Sequence, residues 1–276
     1  MPEGDSVLQL SKRLQFMEGR RVTRSSLRVP RYATVRFDGL VCEEVWPYGK
    51  HLFMDFGGKL ILHTHLKMEG EWAIHYAGDR WRKPGHSARV VLQVENSPRD
   101  IELVGHWLGH VGVFPAREFE QRMAHLGPDI LAPEWEEGGF EEAARRIESR
   151  PERSIGAALL DQRNVAGLGN EYRAEICFLA GVHPATPVAL VDVPQILTIS
   201  RRLIWANRDS PVRVTTGVKR AGETTYVFGR NRQRCRRCGT LIEKSTLGGV
   251  DAGGDDGELE RVIWWCPHCQ PLHRSA

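Results

Sequence analysis

Four of the six cysteines fall in two pairs, Cys235-Arg-Arg-Cys238 and Cys266-Pro-His-Cys269, with 27 residues between them. Two Cys-x-x-Cys knuckles at such a spacing present four thiolates to a tetrahedral ion. With every position filled by sulfur, one Zn2+ held by Cys235, Cys238, Cys266 and Cys269 is structural rather than catalytic. Paired redox dithiols are the other use of this motif, but no thioredoxin-like βαβ pattern surrounds them. A second reactive arrangement is Met1-Pro2-Glu3-Gly4-Asp5. Removal of Met1 would leave Pro2 as a free secondary amine, able to attack an aldehyde-level carbon such as C1′ of a deoxyribose. The resulting iminium is a permanent electron sink. An α-amino group titrates near ~7.7–8.0 against ~10.4 for lysine, so it is far more available as a neutral nucleophile. An adjacent helix N-terminus disfavours its cationic form further. Glu3 beside it could carry protons as general acid and base. A plain lead-in to a helix stays open as the alternative for Pro-Glu-Gly.

Two further stretches suit phosphates. Between Val212 and Cys238, Arg213, Lys219, Arg220, Arg230, Arg232, Arg234, Arg236 and Arg237 face a single acid, Glu223. Such an excess reads as an electrostatic footprint for a polyanion, or as a solvated basic face. The segment "NVAGLGNEYRAEICFLAGVHP" joins two helices through a turn in which Gly167 and Gly169 permit unusual backbone conformations. Asn170 stands where the second helix begins, and a helix N-terminus seats a phosphate. An ordinary capping Asn in a helix hairpin is the alternative.

These groups need elements to hold them. Asp5 is the expected N-cap of a helix whose Val7, Leu10, Leu14 and Met17 repeat at spacings of three and four, closed by Gly19. From residue 21 to about 114, six short β-rich runs are separated by turn signals, which suggests a sandwich or a barrel. His63 and His65 share one strand face by alternation and are expected as core or phosphate-adjacent residues rather than metal ligands. A region of three or four helices follows "HLGPDIL" and stops near residue 212, ahead of the Cys-rich segment.

Composition is that of a globular protein: 276 residues, 41% apolar, 26% charged, with a net charge of +3. No apolar run approaches the roughly 18 residues that span a bilayer, and the first residues lack the apolar core of a signal peptide. The expectation is an intracellular protein, cytoplasmic and nucleoid-associated, with no membrane partner. Cys42 and Cys177 are isolated and expected to be buried thiols in a reducing compartment.

The pieces occur together, in order, along nearly the whole chain, and in that order the sequence resembles the formamidopyrimidine-DNA glycosylase/endonuclease VIII family. "MPEGD" is similar to the endonuclease VIII opening. "YGKHLFMDF" resembles the family's strand with a catalytic lysine, here Lys50, and "THLKMEGEW" its loop with an intercalating apolar side chain, here Met68. "LLDQRNVAGLGNEYRAEICFLAGVHP" is close to the helix–two-turn–helix DNA-binding motif, with its phosphate-binding Asn at Asn170. "CRRCGTLIEKSTL" and "RVIWWCPHCQ" resemble the C-terminal zinc finger, whose functional arginine falls on Arg261.

The resemblance implies a two-domain α+β protein. Residues 1–126 would be a catalytic domain with an N-terminal helix and antiparallel β-sandwich. Residues 127–220 would carry the helix–two-turn–helix and 221–276 a zinc-ribbon finger. It implies a bifunctional DNA glycosylase and AP lyase of base excision repair that acts as a monomer on damaged DNA and removes mainly oxidised pyrimidines. Pro2 would form the imine, Glu3 move protons, and β,δ-elimination cleave the strand. An oxidised-purine glycosylase is the rival within the family, and a non-catalytic zinc-ribbon DNA-binding protein the rival outside it. Two features depart from the pattern. The acidic stretch at 248–259 bears on how Arg261 is presented, and "LVGHWLGHVGVF" stands where the formamidopyrimidine branch has its Arg-Arg-Phe-Gly loop.

Overall fold

The computed structural model describes residues 2–247 and 261–272. Met1 and the acidic stretch 248–259 lie outside the described residues. The chain divides into two compact units, residues 1–124 and 125–276.

The first unit opens with α1 (Gly4–Leu14). The apolar repeat forms its inner face: Val7, Leu10, Leu14 and, just beyond it, Met17 are all buried. Each such side chain contributes about 1.5–3 kcal/mol on burial, enough to fix the helix that carries Pro2 and Glu3 at its start. The capping position is Glu3 rather than the expected Asp5. The Glu3 carbonyl already accepts the Val7 N–H, at 3.1 Å, so the helix is under way before Asp5. Asp5 lies buried in the first turn, where its carboxylate accepts the Ser6 N–H at 2.8 Å and complements the helix dipole.

Eight strands follow: β1 (Val22–Leu27), β2 (Cys42–Tyr48), β3 (His51–Phe56), β4 (Leu60–His65), β5 (Glu71–Tyr76), β6 (Ala88–Val94), β7 (Ile101–His106) and β8 (His110–Pro115). They pair antiparallel in two four-stranded sheets, ordered β1-β6-β7-β5 and β2-β3-β4-β8. Inward side chains of both sheets, such as Leu52, Met54 and Phe56 against Val90, Leu92 and Leu103, share one core with α1. The fold is therefore a sandwich. The outward face of the second sheet has its own apolar cluster. Phe53, Ile61 and Phe114 lie there under Trp46 and the short helix α2 (Phe119–Met123). β5 and β8 fall outside the six expected runs. β8 carries Gly112 and Pro115, which weaken its strand signal, whereas β5 has a regular alternation of Trp72, Ile74 and Tyr76 with Glu71, Ala73 and His75.

The second unit holds α3 (Gly139–Glu148), α4 (Ile155–Leu160), α5 (Asn170–Leu179) and α6 (Val193–Asn207). Ser154 caps α4 and Asp192 caps α6, each through a side-chain oxygen that accepts a backbone N–H. Their apolar faces meet in one core that includes Ile147, Leu159, Tyr172, Ile176 and Leu197. The opposite face of α5 supplies Ala174 and Phe178 to a second core, shared with Val227, Cys235, Ile242 and Cys266. There the hairpin of β9 (Glu243–Leu247) and β10 (Arg261–Trp265) packs beside the cysteines.

Candidate active site and nucleic-acid interface

In the first unit Pro2 is half-buried and Glu3 is fully buried at the start of α1. The Glu3 side chain, next in sequence to Pro2, is thus withdrawn from solvent contact. α1 packs on β2 and β3, the strands on either side of Lys50. Lys50 is not on a strand, as the resemblance implies. It sits with Gly49 in the two-residue turn between β2 and β3. Gly49 has a positive φ of 55°, which lets so short a connection close the hairpin through the Tyr48–His51 pair.

Met68 is 67% exposed at the tip of the turn after β4, the large apolar side chain expected of a wedge. The turn is strained: Lys67 has a φ of 55° although it is not glycine. Two contacts hold it. The Lys67 N–H donates to His65 Nδ1 at 2.8 Å. The Lys67 stem lies on bare backbone at Gly109, where an added Cβ would come within 2.1 Å of Lys67 Cγ. The loop "LVGHWLGHVGVF" therefore supports the Met68 turn through a glycine.

His63 and His65 do share a face, and they have company. Pairing places His51 opposite His65 and His65 opposite His110, with His63 two residues along β4. His51 Nδ1 and His63 Nε2 are hydrogen-bonded at 2.8 Å, one ring donating and the other accepting. The His63 ring stacks on Phe53 at 4.6 Å and tilts against His110 at 4.6 Å. Burial pushes His65 down to about 3, helped by His51, Lys67 and Lys50, so it stays neutral at neutral pH. Accepting from Lys67, its Nδ1 carries no proton and its Nε2 does. His51 and His110 become legible only once register is known.

In the second unit Asn170 begins α5, as expected, and Gly169 is the capping residue. Gly167 has a φ of 109°, whereas Gly169 at −129° is ordinary extended backbone, so only one of the two glycines meets a conformational demand. Asn170 Nδ2 donates to the Val262 carbonyl at 3.1 Å. Arg173, itself buried, donates to the same carbonyl at 2.8 Å and to Asn170 Oδ1. Arg261 is exposed at the start of β10, one residue before that shared acceptor. The structure thus brings Asn170 and Arg261 to one place, through a buried arginine that sequence reasoning missed.

The four cysteine sulfurs lie within 4.8 Å of one another, and Cys238 and Cys266 Sγ are 3.4 Å apart. Tetrahedral Zn–S bonds of ~2.3 Å require sulfurs about 3.8 Å apart, so the donor set and its spacing fit that ion. Each knuckle also aims a backbone N–H at its first sulfur, Arg237 to Cys235 and Cys269 to Cys266. Hydrogen bonds from Thr240 pull the Cys238 thiol down to about 6, while burial pushes Cys266 and Cys269 up. Gln270 ties the second knuckle to the helices by donating to the Val182 carbonyl at 2.9 Å.

Of the eight cations between residues 212 and 238, Arg213 is half-buried and Arg230 buried. Arg213 pairs with Glu171 at 2.6 Å and lies over Tyr172; Arg230 donates to the Tyr226 and Arg234 carbonyls; Arg236 donates to Thr225. Lys219, Arg220, Arg232, Arg234, Arg236 and Arg237 are exposed, so most of the cationic run stays on the surface. The organiser of this segment is Glu175, fully buried on α5. Its carboxylate accepts the N–H groups of Tyr226, Val227 and Phe228 at 2.7, 2.9 and 2.8 Å and the Thr215 hydroxyl. The signal available in sequence was an acid on the apolar face of "NEYRAEICFL".

A β-sandwich led by a helix, a helical unit with a glycine-hinged helix start, and a four-cysteine hairpin define a class. Family models described as the formamidopyrimidine-DNA glycosylase N-terminal domain and the formamidopyrimidine-DNA glycosylase H2TH domain match residues 1–105 and 126–206. The chain belongs to the formamidopyrimidine-DNA glycosylase family. Among its relatives, the probable endonuclease 8 2 of Streptomyces coelicolor is 42% identical over 98% of this chain and 94% of its own length. The DNA-(apurinic or apyrimidinic site) lyase Nei2 of Mycolicibacterium smegmatis is 41% identical over 98% and 99%. The formamidopyrimidine-DNA glycosylase of Gloeobacter violaceus is 31% identical over 83% and 79%. Among solved structures, Lactococcus lactis formamidopyrimidine DNA glycosylase bound to an AP-site-containing DNA superposes with a TM-score of 0.77. At 20% identity over 98% of this chain and 100% of that one, the likeness shows the fold.

Proposed function

We propose that this protein is a bifunctional DNA glycosylase and AP lyase of base excision repair that removes mainly oxidised pyrimidines. The observation that carries the reading is the fully buried Glu3 carboxyl next to Pro2 at the start of α1, in a chain of this family. With Met1 removed, the Pro2 nitrogen attacks C1′ of the damaged nucleotide. The glycosidic bond breaks, Glu3 protonates the sugar ring oxygen, and the base leaves. The iminium so formed acidifies the C2′ hydrogens. Loss of a C2′ proton expels the 3′ phosphate by β-elimination, and a further proton loss expels the 5′ phosphate by δ-elimination. Lys50 stabilises the phosphate or sugar charge. Met68 wedges into the stack as the nucleotide flips, at an unstacking cost of a few kcal/mol that is lower at damaged pairs.

Asn170 and Arg261 grip the phosphate backbone in this reading, and Cys235, Cys238, Cys266 and Cys269 hold one structural Zn2+. The protein works as a monomer on damaged DNA, cytoplasmic and nucleoid-associated; no described helix is long and apolar enough to cross a membrane. The preference for pyrimidines draws on 42% identity to a relative named probable endonuclease 8 2, against 31% to one named formamidopyrimidine-DNA glycosylase and 28% to one named endonuclease 8.

Borohydride trapping tests the reading. The protein is mixed with duplexes bearing thymine glycol, dihydrouracil, 8-oxoguanine or an abasic site, then reduced. A covalent adduct is expected, strongest among the base lesions for the two pyrimidines. Pro2→Gly should abolish the adduct, and Glu3→Gln should slow base release by about 100-fold or more. Full-rate strand cleavage by protein that retains Met1 would overturn the reading.

A further inference from the structure

We propose that His51 and His63 are positioning residues for Lys50: their hydrogen bond ties the Lys50 turn to the centre of the sheet. The inference rests on the reading of Lys50 as the group that stabilises phosphate or sugar charge.

Lys50 occupies a hairpin tip, and its hairpin includes β2, an edge strand of the order β2-β3-β4-β8. Edge tips are where a sheet opens first. A lysine is also a flexible point charge, placed only as well as its Cα. The residue after it, His51, is the first of β3 and closes the turn opposite Tyr48. Its ring lies on the outward face and reaches across to β4, where Nδ1 meets His63 Nε2 at 2.8 Å. It also packs edge-on to His65 at 4.9 Å. His63 is buried and nearly parallel to Phe53, with an interplanar angle of 20°. The tether therefore runs from the tip to the Phe53, Ile61 and Phe114 cluster.

Leucines could fill this space, but an imidazole pair fixes a single ring orientation. The bond requires one donor and one acceptor, since two imidazolium rings would point N–H at N–H. Several charged groups surround the pair. His65 and His110 continue the row, and Lys50 and Lys67 stand close enough to depress His65. On the same face, Arg122 covers Phe114 while paired to Glu118, and Glu44 and Asp55 lie at the far end of β2 and β3. The cations lie near the tip and the β2 and β3 carboxylates lie far from it.

The test is a double-mutant cycle on the full chain, read as single-turnover cleavage of a duplex bearing one abasic site. His63→Phe keeps the stack on Phe53 and removes the bond; it should slow cleavage about tenfold, as small misplacements of a charged group do. His63→Gln restores a polar partner for His51 and should stay within about twofold of the parent. In a Lys50→Ala background, His63→Phe should add less than about twofold, because its effect passes through Lys50. An equal slowing in both backgrounds would show a merely structural role and overturn the proposal. If Lys50→Ala alone leaves the rate unchanged, the reading of Lys50 fails instead, and the positioning role with it. Should His63→Phe not fold, His51→Phe enters the same cycle with the same expectations.

Discussion

The two units solve the same problem, holding polar groups in place, by different physics. In the first unit the candidate residues border an apolar sandwich, and of Glu3, Lys50 and Met68 only Glu3 is buried. α1 and both sheets bury one continuous core, and Glu3, Lys50 and Met68 occupy a helix start and two turns. In the second unit polar groups are part of the interior. Glu175, Arg173 and the Arg153–Asp161 pair are buried among the helices, and the hairpin is gathered by sulfur. Burial of apolar area is indifferent to pH and to chelators; ionised carboxylates and thiolates are not. The units should therefore fail under different conditions.

Chelation should produce the largest separation. With the proposed Zn2+ on the four cysteines, a strong chelator, or Cys238→Ser, removes a term on the order of 10 kcal/mol from the hairpin. DNA binding in a fluorescence-anisotropy assay should be lost, while the far-ultraviolet signal of the sandwich persists. Loss of both together would erase the contrast. Glu175→Ala should come next. It strands backbone N–H groups that now share one carboxylate, a cost of at least about 3 kcal/mol. Calorimetry should show the second unit melting earlier with the first unmoved.

Acid should have the smallest effect of the three. Burial alone would raise the Asp161 carboxyl, but hydrogen bonds from Arg163 and Arg153 more than offset it and hold it at about 2. A depressed carboxylate stabilises the fold above its unfolded value of 3.8 and loses that contribution as pH falls through about 2. The loss amounts to about 2 kcal/mol, and Asp161→Asn should remove this part of the pH dependence. A sandwich that unfolds first on acidification would reverse the comparison.

The same contrast explains what the sequence disclosed. Local signals were legible: the three-four spacing of α1, the cysteine knuckles, and Asn170 at a helix start. Register was not. His110 belongs with His51 and His65 only because β4 pairs with β3 on one side and β8 on the other. Asp5 satisfied the statistical rule for a cap, yet the buried start of α1 moved the boundary to Glu3. The basic run had two inward members that a string of letters does not show, Arg230 folded back onto the Tyr226 carbonyl and Arg213 paired with Glu171.

The hydrogen bond from Asn170 to Val262 spans 92 positions of sequence. While a ribosome is still extending the chain, α5 can coil, but the carbonyl that orients its first side chain has not yet been made. Nascent protein thus leaves the tunnel with a folded sandwich and an unaimed helix start. The phosphate grip proposed for Asn170 is complete only after synthesis has passed Val262.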